Sequence, residues 1–201
     1  MKDIKIIINY NKNPFNLFKK WFHEAKLKET NDPNAMNLST IKKNSYPSSR
    51  MVLLKSYDKN GFVFFTNINS QKGKNILKNS KVALNFHWKS LLRQVRIEGK
   101  AKLVSKKEAD IYFDSRPKNS KIGAWASKQS GNLKSRKLLE RNFLYYKKKF
   151  QQKKIPRPPY WVGYRVVPVL IEFWQDMPFR LHDRLEYTKK KGKWYSKKLF
   201  P

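Results

Sequence analysis

The sequence has no cysteine among its 201 residues. That absence excludes disulfides, thiolate nucleophiles, cysteine-based zinc sites and iron–sulfur clusters. The three histidines, His23, His87 and His182, are too few to favour an all-histidine metal site, and we predict no bound metal. Only seven glycines are present, and they form neither a G-x-G-x-x-G fingerprint nor a Walker loop. A Rossmann dinucleotide site and P-loop phosphoryl transfer are therefore disfavoured.

Acidic residues are also scarce, with 14 Asp and Glu against 46 Lys and Arg, which gives a formal net charge of +32. They form no cluster typical of a metal or glycosidase site. A charge this positive is compatible with nucleic-acid binding. The lysines are scattered along the whole chain, however, so we interpret most of the charge as solvated surface and predict no specific nucleic-acid partner. A basic nucleic-acid-binding β-barrel remains an alternative.

Long apolar runs are missing too. No stretch approaches the roughly 20 residues that span a bilayer, and the isoleucine-rich segment at residues 4–8 is shorter than a signal-peptide core of about 7–15 residues. We expect a cytoplasmic protein with no membrane partner. Aromatic residues make up 14% of the chain, which favours a folded domain over a disordered one. The length fits a single domain over residues 1–201.

Local patterns predict a mainly β protein with peripheral helices. Asn13 and Pro14 are typical of a helix start, and the turn-prone residues 31–34 end that helix. Further helices are predicted at 71–79, 106–115, 119–127 and 134–150. Strands are predicted at 35–41, 50–57, 62–66, 81–88, 93–104, 161–167 and 169–175, with a closing hairpin of 184–187 and 193–195. Strands that do not alternate with helices favour an antiparallel barrel over a βαβ sheet.

The most specific motif is the run I-E-F-W-Q-D-M-P-F-R-L-H-D-R at residues 171–184. It resembles the signature of the pyridoxamine-phosphate oxidases, in which an apolar-E-aromatic-W-Q start and a short spacer precede R-L-H-D-R. Asp176 departs from that pattern, because a small residue, usually glycine, is expected there. Blocks at 50–55, 65–67, 93–96, 115–117 and 122–130 also resemble the family in the same order, so the resemblance covers roughly residues 13–201.

The resemblance implies an FMN-binding split β-barrel homodimer with FMN at the subunit interface. The family oxidises the 4′ carbon of pyridoxamine or pyridoxine 5′-phosphate to pyridoxal 5′-phosphate, in vitamin B6 biosynthesis or salvage. FMN accepts the hydride, and O2 reoxidises it to give H2O2; the amine substrate also releases ammonia. Residues 171–201 would form the dimerisation and active-site region, and residues 1–12 a divergent N-terminal segment. Another FMN-binding split-barrel oxidoreductase is the alternative, which retention of R-x-H-x-R disfavours.

The resemblance also implies the FMN contacts. Arg50 and Lys72 match positions near the FMN phosphate, and Gln94 matches a contact to the flavin ring. Trp174 and Arg184 match positions that reach FMN from the other subunit. The full predicted set is Arg50, Met51, Val52, Leu53, Leu54, Lys55, Phe65, Thr66, Gln71, Lys72, Gln94, Gln129, Ser130, Trp174 and Arg184. Gln71 departs from the arginine that is usual in the family, which predicts weaker FMN binding.

The implied substrate contacts fall into two sets. The substrate phosphate would be held by Lys55, Tyr112, Arg116 and Ser120, of which Tyr112 and Arg116 share a helix face. The reacting end would be met by Arg180, Leu181 and His182, with Arg180 and His182 as the catalytic pair. We expect that pair to lie two apart on a strand and to project to the same side. No protein nucleophile is needed, because the cofactor performs the redox step.

Overall fold

The computed structural model describes Ile8 and residues 12–201. Helices α1–α5 span Pro14–Lys28, Gln71–Lys78, Lys106–Asp114, Lys118–Ala126 and Arg136–Lys149. Strands β1–β9 span Ala35–Ile41, Pro47–Leu53, Ser56–Asp58, Gly61–Asn67, Lys81–Trp88, Arg93–Leu103, Trp161–Gln175, Asp183–Lys190 and Lys193–Leu199. The predicted class, mainly β with peripheral helices, is confirmed. The predicted divergent segment at 1–12 lies outside the described residues, apart from Ile8 and Lys12.

The strands form one antiparallel sheet in the order β2-β1-β5-β6-β7-β4-β3. The long strand β7 pairs with β6 along most of its length, with β4 through residues 161–166, and with β8 through residues 170–175. β9 extends the sheet by pairing with β8. Because β7 pairs with β4 at one end and with β8 at the other, the sheet curls into an open half-barrel instead of lying flat.

The prediction that β7 would be two strands, 161–167 and 169–175, is wrong. Pro168 has no amide hydrogen and normally interrupts a central ladder. Here a register shift between Glu98 and Gly99 on β6 absorbs the irregularity. A Cβ on Gly99 would lie 2.3 Å from the carbonyl oxygen of Val167, so the close approach at this bulge requires glycine.

The predicted strand at 50–57 is also wrong, because the chain leaves β2 after Leu53 and starts β3 at Ser56. Between them, the amide of Leu54 donates to the carbonyl of Asn34, and the amide of Lys55 donates to the carbonyl of Val63, both at 2.8 Å. The chain thus crosses from the β1 edge to β4. This crossing opens a space between β2 and β4.

The core is dominated by aromatic residues contributed by α1 and the sheet. Phe18 is fully buried, and its ring lies 4.9 Å from that of Phe62. The predicted start of α1 is confirmed, since the side chain of Asn13 accepts a hydrogen bond from the amide of Phe15. In the described part of the chain, the helices are all too short or too polar to cross a bilayer.

Candidate functional site

A cavity of about 670 Å³ lies where β2 and β4 meet helices α3 and α4. This volume is in the range of pockets that bind cofactors or drug-sized ligands. Many of the predicted site residues line it: Met51, Val52, Leu53, Lys55, Phe65, Thr66, Lys72, Tyr112, Arg116, Ser120 and Gln129. The structure thus brings one set of predicted FMN residues and the predicted phosphate-binding set together in a single cavity.

Two cations in this cavity have no carboxylate partner in the part of the chain that the structure describes. Lys72 is 9% exposed, and its pKa is lowered by burial and then by the positive charge of Arg50. Burial likewise lowers the pKa of Arg116, whose Nη1 atom is buried without a hydrogen-bond partner among the described residues. Buried charges are normally paired. These residues therefore fit phosphate groups supplied by a ligand, and the neutral donors beside them fit the same role.

Hydrogen-bonding groups converge beside Lys72. Its Nζ atom lies 3.4 Å from Oε1 of Gln129, and the hydroxyl of Thr66 donates to the same oxygen at 3.2 Å. Thr66 lies in the last part of β4, while Gln129 follows α4, so the contact joins the two sides of the cavity. Ser130, predicted alongside Gln129, does not line the cavity.

Three parallel aromatic rings form one wall. Phe65 stacks on Tyr112 at 4.2 Å and on Trp161 at 4.9 Å, with interplanar angles of 13° and 7°. The guanidinium of Arg116 lies 5.0 Å from the Trp161 ring centre, and Nζ of Lys55 lies 5.9 Å from that of Tyr112. The stacked rings therefore contact Arg116 and Lys55 through cation–π interactions.

The sequence prediction missed some lining residues, namely Asn67, Ser115, Pro117, Gly123, Ala124, Ser127 and Trp161. Asn67, Ser115, Pro117, Gly123, Ala124 and Ser127 lie in blocks that carried the family resemblance, so proximity to predicted residues could have indicated them. The sequence around Trp161 gave less indication that this residue lines the cavity. Trp161 follows the proline-rich segment at 155–159, and only the pairing of Asn67 with Trp161 across β4 and β7 brings it to the cavity.

Arg50 and Gln71 lie near the cavity but are engaged elsewhere. The guanidinium of Arg50 donates to the hydroxyls of Thr40 and Ser48, each at 2.7 Å. The side-chain amide of Gln71 donates to Oδ1 of Asn75 at 2.9 Å. Leu54 is buried in the core. A ligand phosphate would therefore have to draw Arg50 and Gln71 from these partners.

A second group of predicted residues occupies the other end of the sheet and does not line this cavity. Gln94, Trp174 and Arg184 are cross-strand neighbours on β6, β7 and β8. The carboxylate of Glu172 accepts hydrogen bonds from Nε of Arg184 at 2.8 Å and from Nη2 of Arg96 at 2.6 Å. Burial raises the Glu172 pKa, but the bonds from both arginines lower it overall. Glu172 therefore stays ionised and fixes the direction of Arg184.

The expectation that Arg180 and His182 lie on a strand is wrong. Pro178–Arg180 form a 3-10 turn, and β8 begins only at Asp183. Phe179 and Arg180 have φ values of 58° and 60°, a left-handed conformation that costs a non-glycine residue roughly 1–2 kcal/mol. Backbone strain of this kind concentrates at functional sites. The turn, rather than strand alternation, therefore sets the direction of the Arg180 side chain.

Comparison with known proteins identifies two family models. The model described as pyridoxamine 5′-phosphate oxidase matches residues 22–149. The model described as the pyridoxine 5′-phosphate oxidase C-terminal dimerisation region matches residues 161–201. The two matched ranges contain both groups of predicted site residues.

Relatives and solved structures agree with these models. The chain is 55% identical to a pyridoxine/pyridoxamine 5′-phosphate oxidase of Bartonella henselae over 94% of this chain and 92% of the relative. It is 54% identical to that of Caulobacter vibrioides, over 94% and 85%. The structure of PhzG from Burkholderia lata, solved with tetrahydrophenazine-1-carboxylic acid, superposes with a TM-score of 0.91 at 28% identity, covering 98% of this chain and 99% of that one. An FMN-binding protein of Nostoc punctiforme shares the fold at a TM-score of 0.77 and 14% identity, over 96% and 100%.

Proposed function

Because the chain belongs to the pyridoxamine 5′-phosphate oxidase family, we propose that it uses FMN to oxidise pyridoxamine or pyridoxine 5′-phosphate to pyridoxal 5′-phosphate. The observation that carries the proposal is the cavity that holds the buried Lys72 and the half-buried Arg116, neither of which has a carboxylate partner among the described residues. Both the cofactor and the substrate bring a phosphate to neutralise them. Identity of 54–55% to named oxidases supports this activity over that of another split-barrel oxidoreductase.

The residues near β2 and α2 fit the cofactor. Lys72 and Arg50 would neutralise the FMN phosphate, while Thr66 and Gln129 would supply hydrogen bonds. When bound, FMN supplies the electron-accepting ring of the redox reaction. The backbone of residues 51–55, at the crossing from β2 to β3, would lie along the cofactor. The protein's task at this end is to hold a dianion in fixed position and to exclude water.

The residues of α3, of α4 and of the turn between them fit the substrate phosphate. The prediction that Tyr112 and Arg116 share a helix face is wrong, because α3 ends at Asp114 and Arg116 lies in the turn before α4. Arg116 would give the phosphate a charge-assisted hydrogen bond through the buried Nη1, which is unpartnered among the described residues. The remaining contacts to the substrate phosphate would come from Lys55, Tyr112 and Ser120. Fixing the phosphate fixes the pyridine ring, so the reacting carbon is held in a near-attack position. Arg180 would then orient the reacting end and assist proton removal, and His182 would hydrogen-bond the substrate.

A homodimer with FMN at the interface would unite the two separated groups. Within one chain, Trp174 and Arg184 lie apart from the cavity that holds Lys72 and Arg116. A family model for a dimerisation region over residues 161–201 supports association through this part of the chain. We propose that residues 171–201 of one subunit complete the cavity of its partner, and that residues 1–201 act as one domain.

We also propose that O2 is the electron acceptor, that H2O2 is released, and that the enzyme works in the cytoplasm. The test is to purify the protein with FMN and to add pyridoxamine 5′-phosphate in air. Equal amounts of pyridoxal 5′-phosphate and peroxide are expected. Product without peroxide would exclude O2 as the direct acceptor. A colourless protein that FMN does not restore, but that binds RNA in a salt-sensitive way, would favour the nucleic-acid alternative.

Replacing Gln71 with arginine is expected to tighten FMN binding. The new guanidinium would add a charge-assisted bond beside Lys72, worth at most about 1.5–3 kcal/mol. The dissociation constant is measured by flavin fluorescence quenching on adding FMN to apoprotein. Gln152→Arg is the matched control, since it adds the same charge at an exposed position away from the cavity. Equal dissociation constants for Gln71→Arg and the wild type would contradict a phosphate contact at position 71.

A further inference from the structure

Asp176 makes a direct contact with His182. Its Oδ1 atom lies 2.9 Å from Nδ1 of the imidazole. The family resemblance predicts a small residue at position 176, so this carboxylate is a feature of the present chain. The Asp176 side chain is 40% exposed and that of His182 is 21% exposed, which leaves the imidazole accessible to a ligand on part of its surface.

Two groups compete for Nδ1 of His182. The amide of Met177 points its hydrogen at Nδ1 from 3.3 Å, whereas the Asp176 carboxylate lies closer. If Nδ1 carried no proton, its lone pair would face a carboxylate oxygen at 2.9 Å, which is repulsive. A proton on Nδ1 turns that contact into a charge-assisted hydrogen bond. The carboxylate therefore outweighs the more distant amide, and the proton belongs on Nδ1.

The second ring nitrogen is then free to act as an acceptor. A neutral imidazole carries one proton, so protonation of Nδ1 leaves a lone pair on Nε2. Among the described residues, Nε2 has no hydrogen-bond partner. The Trp174 ring lies 4.6 Å from the imidazole. Trp174 and Asp176 thus fix the ring from two sides.

We propose that Asp176 is a positioning residue that holds His182 as the Nδ1–H tautomer, so that Nε2 accepts a hydrogen bond from a hydroxyl or amino group of the substrate. This inference rests on the proposed function, because it assumes that His182 contacts the phosphorylated substrate. Beyond that function, the inference specifies that His182 accepts this hydrogen bond and that Asp176 determines its direction. Without the carboxylate, the Met177 amide would bond Nδ1, and the proton would move to Nε2.

The test uses the FMN-loaded enzyme labelled with ¹⁵N-histidine. Two-bond ¹H–¹⁵N spectra at alkaline pH report which nitrogen carries the proton, and a His182→Gln variant assigns the signals. The wild type is expected to show Nδ1–H and Asp176→Ala to show Nε2–H. The value of kcat/KM for pyridoxamine 5′-phosphate should fall about tenfold in Asp176→Ala, the size of one lost hydrogen bond. Asp176→Glu keeps a carboxylate and should retain the wild-type tautomer.

Glu140→Gln is the matched control, since it removes an exposed carboxylate that pairs with Arg136 on α5, and it should change neither the tautomer nor turnover. An Nε2–H signal in the wild type would overturn the inference, as would the same tautomer in wild type and Asp176→Ala. If Asp176→Ala fails to fold, Nδ1–H in Asp176→Gly, which also lacks the carboxylate, would overturn it. Absence of vitamer oxidation by the wild type would instead overturn the proposed function, whatever the tautomer.

Discussion

Arg180→Ala is expected to retain FMN and to lose turnover, with kcat falling by about 10²–10⁴-fold, the range of a positioned proton-transfer group. Arg180 is proposed to orient the reacting end of the substrate and to assist proton removal. It lies in a turn with two consecutive left-handed residues, Phe179 and Arg180. A strained backbone therefore sets the direction of the Arg180 side chain. The measurement is steady-state formation of pyridoxal 5′-phosphate by FMN-saturated enzyme.

The control for Arg180→Ala is Arg136→Ala, which removes an exposed guanidinium on α5 that pairs with Glu140. It should leave kcat unchanged. Flavin absorbance after gel filtration shows whether each variant keeps its cofactor. Wild-type turnover by Arg180→Ala with FMN retained would remove Arg180 from the mechanism.

Arg116→Ala is expected to lower kcat/KM for pyridoxamine 5′-phosphate by about 10–100-fold, equivalent to a charge-assisted hydrogen bond of about 1.5–3 kcal/mol. Most of the change should be in KM, because the bond to the substrate phosphate is made before and during the reaction. Its buried Nη1 atom, unpartnered among the described residues, is the basis of this expectation.

Unphosphorylated pyridoxamine provides the internal control for Arg116→Ala. A substrate without phosphate has nothing for Arg116 to hold, so its low rate should be nearly the same in variant and wild type. Thermal denaturation checks that loss of the contact with the Trp161 ring has not unfolded the protein. An equal fall for both substrates would contradict a phosphate contact.

The sequence predicted local structure where the signal was local. The helix start at Asn13 is confirmed, because it depends on residues close in the chain. Two strand predictions failed because their outcome depends on distant partners. The pairing of β7 with β6 shifts by one residue at Val169, opposite Glu98 and Gly99, and the break at Leu54 depends on the carbonyl of Asn34.

The sequence indicated which residues form the site, but not how they are arranged in space. The motif resemblance indicated most of the cavity residues, yet only pairing of β4 with β7 adds Trp161 to the aromatic wall. The R-L-H-D-R motif suggested strand alternation, and the left-handed conformation at Phe179 and Arg180 replaced it. The Asp176–His182 contact depends on that turn, which folds residue 182 back towards residue 176.

This chain is proposed to pass electrons from its phosphorylated substrate to bound FMN. The most direct test is to mix FMN-loaded enzyme with pyridoxamine 5′-phosphate in the absence of oxygen and to follow the flavin absorbance. We predict that the oxidised flavin band bleaches while one pyridoxal 5′-phosphate forms per flavin, and that the band returns on admitting air. A flavin band that stays oxidised with saturating substrate would rule out electron transfer from the substrate to FMN.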